Sequence, residues 1–176
     1  LDGWRLRYSK GVHSRANSVL PNDSGGNLSL EEKLAAVEAF YRSHDLPARY
    51  QMSPVVQPSN LDSVLEARGY RLYEPVEVQT AVVDHILNST KPAQTATISP
   101  LLVGDWLAFD NRIAQHAPHR AHIRQQIMRQ IKPQTAFAAI YKAEQIVGIG
   151  LGVYEQGWLG IFNMLTDPEQ RRQGIG

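Results

Sequence analysis

The residues with the clearest chemistry form the run Leu165-Thr166-Asp167-Pro168-Glu169-Gln170-Arg171-Arg172-Gln173-Gly174-Ile175-Gly176. It follows an apolar stretch (Trp158, Leu159, Ile161, Phe162, Met164, Leu165) that reads as a strand, and it looks like the opening of a helix. Successive backbone N–H groups at a strand-to-helix turn form a concave donor array suited to phosphate oxygens. Gly174 and Gly176 remove side chains where a backbone must approach a ligand closely. Arg171 and Arg172 add positive charge beside that array. Types and spacing point to a polyphosphate-bearing ligand, with an ordinary solvated loop as the plainer reading.

Three further clusters are weaker signals. His116, His119 and His122 straddle Pro118, which interrupts a continuous helix, so the imidazoles need not share a face and no metal site is expected. Gly148, Gly150 and Gly152 superficially suggest a dinucleotide fingerprint, but the spacing is wrong and the surroundings read as strand. Small residues alternating in a strand instead allow close approach by a substrate or a neighbouring strand. Arg120, Arg124, Arg129 and Lys132 accompany Ile123, Ile127 and Ile131 at helical spacing, which reads as an amphipathic helix with a basic outer side rather than a nucleic-acid face.

The run Arg171-x-x-Gly174-x-Gly176, placed after an apolar strand and a Thr-Asp-Pro, resembles the acetyl-CoA signature of the GNAT N-acetyltransferases. The upstream order of strand, two helices and three antiparallel strands is similar to the first half of that fold, over residues 93–176. The resemblance implies acetyl-CoA as cosubstrate, with amides from Arg172 through Gln173, Gly174 and Ile175 to Gly176 on its pyrophosphate. Arg171 opens the signature, and main-chain groups of Met164, Leu165 and Thr166 pair with the pantetheine arm like an added strand. A splayed fourth strand would set an N–H near the thioester carbonyl, where an oxyanion develops.

Transfer to a primary amine also needs a group to take its proton. The splayed-strand span 157–165 holds no acidic residue, and Glu155 at the preceding turn is the nearest carboxylate. His116 and His119 are the other candidates, since the two early helices of this family border the acceptor pocket and an unperturbed imidazole titrates near pH ~6.5. The family's late-helix tyrosine has no counterpart here. With no cysteine, the expected route is direct transfer in a ternary complex with a small-molecule or peptide amine, and no metal is implied. The alternative is a non-catalytic GNAT-like module that binds acetyl-CoA for regulation or interaction.

These residues must be positioned by the elements before them. Ser29 precedes Glu32 by three residues, the spacing of a capping box, and Leu30, Leu34, Val37, Phe40 and Tyr41 recur at helical intervals, predicting a helix over 30–43. Short strands are expected at 4–8, 15–20 and 49–53, with a turn cluster at 21–27. A second helix around Leu61, Val64 and Leu65 should be capped by Gly69. The β-branched and aromatic run from Tyr70 to Val83 predicts a strand. A strand at 95–99, helices at 102–115 and 119–132, and strands at 135–142, 145–154 and 157–165 follow, with hairpin turns at 142–144 and 155–157. The expected class is α/β of the α+β type, a mixed and mainly antiparallel sheet flanked by helices.

Residues 16–73 also resemble a GNAT fold, but its late part, without the signature at Asn22 to Leu28. The expected organisation is a degenerate GNAT-like half at 1–84, a linker at 85–94 and the first part of an acetyl-CoA-binding domain at 95–176. Alternatively, the N-terminal half supplies, in permuted order, elements the second half lacks. Leu1 and the glycine-rich run ending at Gly176 suggest a part of a longer polypeptide. The open sheet edge this leaves could be covered by a second copy, hence a homodimer.

Composition limits the alternatives. The 176 residues are 43% hydrophobic and 20% charged, an ordinary globular balance, and the absence of cysteine excludes disulfides and thiolate metal sites. No apolar run approaches the roughly 20 residues that span a bilayer, and no signal peptide is visible, so neither a membrane nor a secretory route is expected and the cytoplasm is the default. Residues 1–88 carry 9 basic and 11 acidic side chains against 9 and 6 in residues 89–176. That excess is too mild for nucleic acid but suits an anionic small ligand.

Overall fold

The computed structural model describes residues 1–23, 25–92 and 94–176. Ser24 of the turn cluster and Ala93 of the linker therefore lie outside the described residues. The chain divides into two compact units, Leu1–Val78 and Gln79–Gly176.

In the first unit, β1 (Arg5–Leu6) and β2 (Val19–Leu20) pair antiparallel. The expected strand at 15–20 is shortened by a single 3-10 turn at Arg15–Asn17. Asn17 is the reason: its buried amide accepts from the N–H groups of Ser9 (2.6 Å) and Gly11 (3.1 Å) and donates to the His13 carbonyl (2.7 Å). Helix α1 (Leu30–Arg42) begins on the predicted capping box, with the Ser29 hydroxyl accepting from Glu32 N–H and the Glu32 carboxylate accepting from Ser29 N–H. Its apolar face (Leu34, Val37, Tyr41) joins Trp4, Val19, Val56, Leu61 and Leu65 in the core. The expected strand at 49–53 reduces to a parallel bridge of Tyr50 with Val19, which donates to the Arg49 carbonyl and accepts from Gln51 N–H. Helix α2 (Leu61–Ala67) ends as predicted at Gly69, whose φ of 86° lets its N–H reach Glu66 and that of Tyr70 reach Leu65.

The strand predicted from Tyr70 to Val83 does not form. No residue of that run enters a sheet, and Leu72 and Val78 are 80% and 86% exposed. β-propensity is realised only against a pairing neighbour, which this run does not find. Val83 instead starts helix α3 (Val83–Ser89), which buries none of its side chains and occupies much of the turn-rich segment.

The second unit is a four-stranded antiparallel sheet in the order β3 (Thr97–Ser99), β4 (Gln134–Lys142), β5 (Gln145–Glu155), β6 (Trp158–Thr166). Helices α4 (Gly104–Ala114) and α5 (Pro118–Arg129) sit between β3 and β4 in sequence. Pro118 opens α5 at its first position, where its missing N–H costs nothing, and the chain turns before it through a left-handed Gln115. Both hairpins use two-residue turns with positive φ at each centre, Ala143 and Glu144 (45° and 66°) and Gln156 and Gly157 (52° and 83°), the twist that suits antiparallel strands. Trp106, Phe109 and Met128 pack on Phe137, Ala139, Ile149 and Leu151, and the Trp106 indole N–H donates to the Ala138 carbonyl at 3.0 Å. The fold is therefore of the expected α+β class. Among the described residues no helix is long and apolar enough to cross a membrane.

Candidate functional site: a bulged edge strand and the turn that follows it

Strand β6 lies at the edge of its sheet, so the backbone groups on its outer side have no strand to pair with. Its ladder with β5 is interrupted once. Leu165 lies opposite Ile149, but Phe162 lies opposite Leu151, so Asn163 and Met164 together face Gly150. This is a β-bulge, and Asn163 absorbs the extra residue in a left-handed conformation with φ of 47°. The Asn163 amide points toward Met128 of α5, with Nδ2 3.8 Å from the sulfur. A bulge re-aims the local backbone, which is the means by which an edge strand can turn an N–H toward a ligand.

The glycines of β5 serve this arrangement. A Cβ at Gly148 would lie 2.5 Å from Cγ2 of Ile175, and one at Gly150 would lie 2.7 Å from the Met164 sulfur. The stripe therefore provides the close approach expected of it, toward the bulge and toward the terminal turn. Ile175 is buried over Gly148 and anchors the segment after β6 onto the sheet.

That segment opens with a 3-10 turn at Pro168–Gln170, capped by the Asp167 carboxylate accepting from Glu169 N–H. From Arg171 to Gly176 the backbone is turn rather than the helix opening expected from sequence. Positive φ at Arg172 (60°) and Gly174 (70°) alternates with negative φ at the residues beside them. Alternating φ is one requirement of a concave, anion-binding array of N–H groups, here beginning after Arg171, which is itself extended (φ −66°, ψ 160°). Arg171 and Arg172 are both exposed beside it, with Gln173, Gly174 and Gly176.

Two cations from earlier elements tie the segment down. Arg112 of α4 lies over the Phe109 ring and donates through both terminal nitrogens to Asp167 at 3.1 Å. Lys142, the last residue of β4, donates to the amide oxygens of Gln170 (3.0 Å) and Gln173 (2.6 Å). These partners are 28 to 55 positions apart in sequence, and nothing in the local pattern announced them.

The remaining candidates are not gathered at the bulge. Glu155 pairs with Trp158 at the hairpin, five residues or roughly 16 Å along the strand from Asn163. His116 sits half-buried between α4 and α5, while His119 and His122 are exposed on α5, with His122 Nε2 3.1 Å from the Gln126 amide. Among the described residues no three His, Asp or Glu side chains converge as metal ligands would. Arg124, read from sequence as part of a basic outer face, is instead turned inward onto the fully buried Asp110 of α4 at 3.3 Å. The pair clamps α4 to α5. Sequence reasoning missed Asp110, Asn163, Arg112 and Lys142 as contributors to this architecture.

Residues 1–176 match the family model described as the C-terminal domain of the probable histone acetyltransferase Rv0428c. YobR of Bacillus subtilis strain 168, described as an uncharacterized N-acetyltransferase, is 27% identical over 179 residues, covering 98% of this chain and 69% of the relative. No solved structure matches the chain. Matched over its whole length by that family model, the chain belongs to the acetyltransferase family of the Rv0428c C-terminal domain.

Proposed function

We propose that this chain is a GNAT-type N-acetyltransferase that binds acetyl-CoA along the outer edge of β6 and transfers its acetyl group directly to a primary amine. The observation that carries this reading is the coincidence of the Asn163–Met164 bulge with the alternating-φ turn at 171–175, one strand-end apart. The turn offers N–H groups and two arginines to the pyrophosphate. The free edge at Met164, Leu165 and Thr166 offers main-chain groups to the pantetheine arm. The bulge re-aims an N–H toward the thioester carbonyl, where negative charge grows as the amine attacks. The C–N bond forms as the C–S bond breaks, the thiolate leaves as CoA, and the amine's proton must pass to a base.

The position of Glu155, about 16 Å along the strand from the bulge, weighs against it as that base. His116 and His119 are not gathered at the bulge either, since His119 lies nine residues, or roughly 14 Å along α5, before the Met128 that Asn163 touches. The parallel contact of Val19 with Tyr50 across helix α1 supports the reading of residues 1–84 as a late GNAT-like half. A second reading, a regulatory module that binds acetyl-CoA without chemistry, is favoured by one fact: residues 157–165 hold no carboxylate.

A thermal-shift titration with acetyl-CoA tests binding, with a raised midpoint as the expected result. No shift with either acetyl-CoA or CoA would exclude both readings. Release of free CoA across a panel of amines then separates enzyme from sensor. Arg171→Glu should weaken acetyl-CoA about tenfold or more by reversing a charge beside the turn, and unchanged affinity would remove the turn from the site.

A further inference from the structure

We infer that Lys142 is a positioning residue for the anion-binding turn, acting by fixing which way the amides of Gln170 and Gln173 face. This rests on the acetyl-CoA reading and deepens it. An ammonium has three donors and no acceptor, so anything it hydrogen-bonds must present oxygen to it. Lys142 takes Oε1 of Gln170 at 3.0 Å and Oε1 of Gln173 at 2.6 Å. With both oxygens engaged, each amide directs its NH2 group away from the lysine. A glutamine left to itself presents oxygen as readily as nitrogen, and an oxygen facing a phosphate is repelled. The lysine thus converts two ambivalent side chains into two oriented donors.

The placement suits that role. Lys142 ends β4 next to the tight turn at Ala143 and Glu144, so its backbone is held by the sheet and the hairpin together. Gln170 ends the 3-10 turn and Gln173 precedes Gly174, so one ammonium bridges both ends of the stretch that carries Arg171 and Arg172. Ile175 on Gly148 closes the same segment from its far side. The turn is thereby set before a ligand arrives, which lowers the ordering cost of binding.

The experiment measures CoA and pantetheine affinities by calorimetry for the unaltered chain, Lys142→Met and Lys142→Arg, with the melting temperature of each. Pantetheine carries the thiol arm without phosphates. Lys142→Met is expected to weaken CoA about tenfold or more while leaving pantetheine and the ligand-free melting temperature nearly unchanged. Lys142→Arg, which still offers several donors to both oxygens, is expected to restore most of the CoA affinity. CoA affinity unchanged in Lys142→Met overturns the inference. So does an equal loss for CoA and pantetheine, which marks a general structural role. If the unaltered chain binds no CoA, the acetyl-CoA reading itself fails, a result separate from either.

Discussion

Replacing Gly148 by alanine tests whether the terminal turn is held by its packing on β5. The new Cβ would stand 2.5 Å from Cγ2 of Ile175, whereas carbon atoms rest about 3.5–4.0 Å apart. Either Ile175 moves by about 1 Å or more, or the strand does. Crowding of this kind costs about 1–3 kcal/mol. An upper limit comes from what Ile175 can lose by lifting off, about 1.5–3 kcal/mol for a buried isoleucine, so the two estimates agree in size. If the turn lifts, the same energy is withdrawn from ligand binding, a loss of about 5- to 150-fold in acetyl-CoA affinity. The control is Ile175→Ala, which removes the methyl that collides. In that background Gly148→Ala should be neutral, or slightly stabilising because alanine restricts the unfolded chain by about 0.4–1 kcal/mol. Urea denaturation and acetyl-CoA titration of the four chains close a double-mutant cycle with an expected coupling of about 1–3 kcal/mol. If Gly148→Ala costs the same with and without the Ile175 side chain, the packing argument is refuted.

Two further outcomes follow from the two units separately. Removing one partner of the buried Asp110–Arg124 pair should be severe, about 3–5 kcal/mol for Asp110→Ala by chemical denaturation, while the double change Asp110→Leu with Arg124→Met should recover most of the loss; a mild single-site loss would mean that water reaches the carboxylate. In the first unit, burial and then the hydrogen bond to Glu38 push the Tyr70 phenol up to about 12. An unfolded tyrosine titrates near ~10, so this group's contribution is intact below about pH 10 and is lost as pH rises through about 12. Tyr70→Phe should make the fall of stability over that alkaline window shallower, and an unchanged slope would place the titration elsewhere.

The elements that sequence predicts well here are those specified locally. Ser29 and Glu32 define the start of α1 within one turn, Gly69 stops α2, and Pro118 starts α5. The last three strands of the second unit run largely apolar between short polar turns, so their order was legible, although of the four turn centres only Gly157 suits a positive φ. The run from Tyr70 to Val83 has strand composition without a partner, and composition carries no information about partners. Arg124 shows the same limit on a helix. Its spacing fits an outer face, yet a carboxylate fourteen residues earlier draws it inward. Lys142 read as a turn residue because its two oxygen acceptors lie about thirty positions away. The bulge had no sequence signal beyond an asparagine, a residue that tolerates the left-handed region more readily than most.

That bulge makes the length of β6 as consequential as its composition. Leu165 opposite Ile149 and Phe162 opposite Leu151 already share one face, because the bulge absorbs the extra residue; deleting one residue at 163 or 164 would therefore leave a regular ladder with both pairs kept. Trp158 to Phe162 and Leu165 would keep their faces, and only the local change of backbone direction at the bulge would be lost. Substitutions at Asn163 or Met164 alter a side chain; a deletion there removes the bulge itself. Losing one residue here would thus separate two contributions of β6, abolishing the local turn of its backbone while sparing the faces that the strand presents.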